Sequence, residues 1–130
     1  HLNLSIKEVY MSQDQGKPWM TYSLAEENIN REKSRKLLNI TSILKELGYP
    51  IRMCFLMSGI PIKQHLQGID EKEKNDIGII EFLPLEEGIK NEVNSLIVER
   101  GIKVKSINEH QYDDSVKATR FYISISTIKA

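Results

Sequence analysis

The chain has 130 residues, 40% hydrophobic and 28% charged, which is ordinary for a soluble globular protein and suits one domain with one core over residues 1–130. Lys and Arg total 18 and Asp and Glu total 18, so the formal net charge is zero; a dedicated duplex-DNA binder, which draws affinity from counterion release, is usually basic. No apolar run approaches the roughly 20 residues needed to span a bilayer, and no signal-peptide pattern opens the sequence.

In chain order, "HLNLSIKEVY" alternates apolar Leu2, Leu4 and Ile6 with polar Asn3, Ser5 and Lys7, the pattern of a half-buried strand. A long polar loop, residues 11–22, follows and holds Gly16, Pro18 and the single tryptophan, Trp19. "SLAE" reads as a capping box in which the Ser23 hydroxyl serves the backbone near Glu26 and Glu26 reaches back. The helix behind it carries Leu37, Ile40, Leu44 and Leu47 at steps of three and four, and Gly48 supplies the stop. "IRMCFLM" is a buried strand by its nearly continuous apolar run. Arg52 inside it is expected at an edge or paired with an acid, and Cys54 is expected to be a small buried hydrophobe.

"SGIPIKQHLQG" reads as a turn with one helical turn, and "IDEKEKND" as a charged surface loop. "IGIIEFL" is a second buried strand ended by Pro84, and "LEEGIKNEVNSLIVERG" a second amphipathic helix built on Ile89, Val93, Leu96 and Ile97 and closed by Gly101. "IKVKSI" is a strand, "NEHQYDDSVKAT" a loop, and "RFYISISTI" the final strand, with Phe121, Ile123 and Ile125 inward and Tyr122, Ser124 and Ser126 outward. The order predicts an α/β (α+β) domain: a ferredoxin-like split βαβ sandwich with an extra C-terminal edge strand. Two main helices would lie on one face of a mostly antiparallel sheet, and the other face would be open or covered by a partner. In that topology loops 11–22 and 58–76 share one end of the sheet, and 108–119 lies at the other.

The sequence holds no motif that fixes a mechanism. "INREKSRKLL" packs four basic residues into a helix, but Glu27 with Arg31 and Glu32 with Lys36 are spaced to pair, as on a solvated face. His110, Asp113 and Asp114 offer metal-type donors at a spacing that matches no ligand pattern, and are expected to form a turn. No cofactor or metal site is expected, and the balance leans against an enzyme. The expected function is a non-catalytic protein-binding or regulatory module in the cytoplasm, self-associating through its sheet, with a protein partner or a second copy and no membrane. Its candidate binding residues are Lys17, Trp19 and Tyr22 in the first loop, Arg31 and Arg35 on the helix, and Lys103, Lys105, Arg120 and Tyr122 on the outward side of the last two strands. The alternative use of the same residues is binding RNA or another single-stranded nucleic acid. A third reading is a metal-dependent hydrolase centred on His110 and Asp113.

Overall fold

The computed structural model describes the backbone of residues 24–59 and 71–129, and the side chains of 31–58 and 73–129. The expected first strand, the loop 11–22 with Lys17, Trp19 and Tyr22, and the capping serine Ser23 lie outside the described residues. Helix α1, Leu24–Glu46, is followed by β1, Ile51–Leu56, and a 3-10 turn, Met57–Gly59. A short α2, Glu71–Lys74, precedes β2, Ile77–Phe82; α3, Glu87–Glu99, leads to β3, Val104–Gln111, and β4, Lys117–Ser124. A second 3-10 turn spans Ile125–Thr127. Among the described residues the fold is α+β: two main helices and a four-stranded antiparallel sheet of order β1-β2-β4-β3.

Both helices pack on one sheet face. Leu37, Ile40 and Leu44 of α1 and Val93 and Ile97 of α3 join Cys54, Leu56, Ile80, Phe82, Phe121 and Ile123 in one buried cluster. The helical spacing of three and four and the strand alternation both aim these side chains at the same layer. Leu47 is the exception, more than half exposed just past the end of α1, where Gly48 takes φ +99° and turns the chain away. Gly78 lets Leu37 of α1 pack close against the backbone of β2. A Cβ there would meet Leu37 Cδ1 at 2.9 Å and Ile125 Cγ1 at 3.2 Å. Gly78→Ala is therefore expected to cost about 1–3 kcal/mol by overpacking, read as a lower urea midpoint. An unchanged midpoint would mean that Leu37 moves aside without loss.

Three expectations are corrected. The final strand is not at an edge: β4 lies between β2 and β3, and Ala118 to Ser124 are all buried. The expected loop 108–119 is largely strand, because β3 runs on through Asn108, Glu109, His110 and Gln111 and pairs with β4 down to Gln111 opposite Lys117. Among the described residues β3 is an edge strand, and polar residues suit an edge, so hydropathy gave no strand signal there. The charged segment 69–76 contains the turn of helix α2 rather than loop alone.

The far sheet face is not open at its centre. Phe55, Met57, Ile77, Ile79 and Tyr122 form a second buried cluster there. The described elements place the turn Met57–Gly59 and α2 at one end of the sheet and the β3–β4 turn at the other, as expected for loops 58–76 and 108–119.

Candidate functional site

The far face carries a charged cluster assembled from four elements. Arg52 sits at a bulge in β1, between Ile51 and Met53, which frees its side chain from the regular alternation. Glu81 of β2 is fully buried and pairs across the sheet with Arg120 of β4. The Arg52 Nη1 donates to Glu81 Oε1 at 3.1 Å, and Arg120 Nε donates to Glu81 Oε2 at 2.8 Å. The Tyr112 hydroxyl, from the β3–β4 turn, donates to the same Oε2 at 2.5 Å and accepts from Arg120 Nη2 at 3.2 Å. Arg52 lies 5.2 Å from the Tyr112 ring centre and Arg120 5.1 Å from that of Phe55, so each guanidinium also faces a ring.

The electrostatics follow from this packing. Burial works against the charge of Arg120, but hydrogen bonds to Glu81, Tyr122 and Tyr112 outweigh it and hold the guanidinium protonated well above its ordinary range. Burial raises the Tyr112 phenol, and its bond to Glu81 raises it further. Burial and the positive charge of Arg120 together lower His110, whose ring stands edge-on to Tyr112 at 4.5 Å. Both Glu81 oxygens accept hydrogen bonds, Oε1 from Arg52 and Oε2 from Arg120 and Tyr112, so the cluster joins β1, β2, β4 and the turn.

A second polar group caps the other end of β2. Asp76 accepts from Ser124 Oγ at 2.6 Å, from the Ser126 amide at 2.8 Å and from Ser126 Oγ at 2.9 Å, and the Ile125 amide bonds its carbonyl at 2.7 Å. Burial alone would raise the carboxyl, but the serine hydrogen bonds and nearby Lys33 hold it below the ordinary carboxylate value. Lys33 Nζ itself donates to the Asn75 carbonyl, tying α1 to the entrance of β2. This is a turn fastened by an ionised side chain.

The expected binding residues that are described, Arg31, Arg35, Lys103, Lys105, Arg120 and Tyr122, are not brought together. Arg120 and Tyr122 are buried, at 9% and 5% exposure, so neither offers the open sheet surface expected of them. Lys105 is engaged by Glu73 at 2.6 Å, while Lys103 is exposed and gives its backbone amide to Thr127 Oγ1. Arg31 is half-buried with its Nε unpartnered, and Arg35 is exposed on the outer side of α1. The Glu32–Lys36 pair expected to neutralise that side is absent among the described ion pairs, and the Glu27 side chain of the other pair lies outside the described residues. Asp113 accepts from the amides of Ser115 and Val116 and from the Ser115 hydroxyl, so it closes the turn expected for it. Among the described residues no three His, Cys, Asp or Glu side chains converge to hold a metal. Burial pushes the Cys54 thiol up to about 12, so it is no nucleophile.

Sequence reasoning placed Arg52 at an edge or beside an acid, and both hold. It did not find Tyr112 or the convergence on Glu81. The available signal was a lone acid in an apolar strand, which a buried position tolerates only when paired. No described helix is long and apolar enough to cross a membrane. Comparison with protein-family models, curated proteins and solved structures finds no match to this chain.

Proposed function

We propose that this domain is a non-catalytic protein module that pairs with a second copy of itself along the outer edge of β3. The observation that carries the reading is that edge: eight residues, Val104–Gln111, bonded on one side to β4 and half-exposed along most of their length, with no further strand among the described residues. Unpaired edge amides and carbonyls are a template for another strand. An antiparallel pairing centred on Ile107 would bring Lys105, at the bulge between Val104 and Ser106, near Glu109 of the other copy, twice by the two-fold symmetry, so the two edges are complementary in charge once these side chains leave Glu73 and Lys90. The exposed Tyr112 and Val116 at the β3–β4 turn would widen the contact with apolar area. The lone buried thiol, Cys54, supports a cytoplasmic setting.

The test is sedimentation velocity across protein concentration. The native chain is expected to dimerise. Glu109→Lys puts like charges opposite one another and should weaken the dimer by about tenfold or more, and adding Lys105→Glu should restore it. Lys90 and Thr119 also hold Glu109 within the chain, at 2.8 Å and 3.1 Å, so each variant's thermal midpoint is needed to separate folding from pairing. A native chain that stays monomeric at high concentration, or a double swap that restores nothing, rejects the proposal.

A further inference from the structure

Two hollows adjoin on the outer side of α1, where it meets the C-terminal segment. The first, about 540 Å³, is lined by Arg35, Lys36 and Lys129 together with Glu32, Leu38 and Asn39. The second, about 220 Å³, shares Asn39 and Lys129 with the first and adds the apolar Ile43 and Ile128 and a further cation, Arg100. They form a trough with cations in both hollows, and its apolar side chains are densest in the second, at Ile43 and Ile128. Glu32 is the only acid among the described lining residues, and it stands one turn from Lys36 without pairing to it. Arg35, Lys36, Arg100 and Lys129 likewise have no ion-pair partner among the described residues.

Four cations with one acid, in a chain of zero net charge, are a local concentration that the fold itself does not use. We propose that the trough binds a phosphate ester of mononucleotide size. Arg35, Lys36 and Lys129 hold the phosphates, with the planar fork of Arg35 taking two oxygens at once. The organic part lies against Ile43 and Ile128. The size falls within the roughly 300–1,000 Å³ of small-molecule pockets. A nucleic-acid strand is disfavoured because it needs a longer cationic track with stacking aromatics, and the described lining holds no aromatic side chain.

The experiment is calorimetric titration of the full chain with three probes at near-physiological salt: ADP, inorganic pyrophosphate and a short single-stranded oligonucleotide. ADP is expected to bind saturably and more tightly than pyrophosphate. Arg35→Ala and Lys129→Ala should each weaken ADP by about tenfold, with unchanged thermal midpoints. Lys45→Ala, an exposed cation on the same helix outside the trough, should leave ADP binding unchanged. The proposal is overturned if ADP gives no saturable heat, or if Lys45→Ala weakens it as much as Arg35→Ala, which would mean diffuse attraction. Pyrophosphate binding as tightly as ADP would remove the apolar half of the site. Tight binding of the oligonucleotide alone would replace the small ligand with a strand. Because the trough lies on α1 and the pairing edge on β3, loss of either activity leaves the other measurable.

Discussion

Replacing Glu81 with leucine is expected to cost about 3–5 kcal/mol of folding free energy, the range for removing one partner of a buried ion pair. The carboxylate is fully buried and bonded by Arg52, Arg120 and Tyr112. Without it, Arg120, with 11% of its side chain exposed, keeps its charge but loses the acceptor at Nε, and Arg52 becomes a like-charged neighbour with nothing between them. The loss is a large share of the roughly 5–15 kcal/mol that holds a domain of this size folded. Urea unfolding followed by circular dichroism reads it as a fall in the midpoint. The double change Glu81→Leu with Arg120→Leu should be less damaging than Glu81→Leu alone, since it removes the stranded cation with the anion. If the single change costs less than about 1 kcal/mol, the surface-pair range, the cluster is wetter than its burial implies.

Phe121→Ala is expected to cost a similar 3–5 kcal/mol by a different mechanism, cavity formation. Phe121 is fully buried on the helix face of β4, and its ring meets that of Phe82 edge-on at 5.3 Å. That geometry contributes about 0.5–1.5 kcal/mol beyond the buried area. The position lies in the same buried cluster as α1 and α3 residues, so a void there loosens both helices from the sheet. Phe121→Leu, which keeps most of the volume, should lose much less. Equal losses for alanine and leucine would mean the ring's shape, not its volume, is what the core requires.

The two variants separate the two faces of the same strands. Odd positions of β2 and even positions of β4 carry the polar cluster, while the alternate positions carry the helix-facing core. If the charged cluster is structural, Glu81 variants that remain folded should pair through β3 and bind ADP like the native chain.

By itself the sequence determined the local elements. The three-and-four spacing of Leu37, Ile40 and Leu44, the apolar runs around Cys54 and Ile79, and the glycines at 48 and 101 are short-range patterns, and short-range sterics and burial decide them. The helices on one sheet face, the α+β class and the opposite ends of the two loop sets followed from their order. What the tertiary structure alone decided is which strand lies inside and which partners each polar group finds. Asn108 to Gln111 look like loop in the sequence and are strand because β4 lies beside them. The Arg120 and Tyr122 side chains look like surface because they alternate with Phe121 and Ile123, yet alternation marks only which face a residue is on, not whether that face is wet. Glu81 meets Arg52 across 29 residues and Arg120 across 39. No local pattern encodes such contacts, because they depend on strand order, and strand order is set by the free energy of the whole packed sheet.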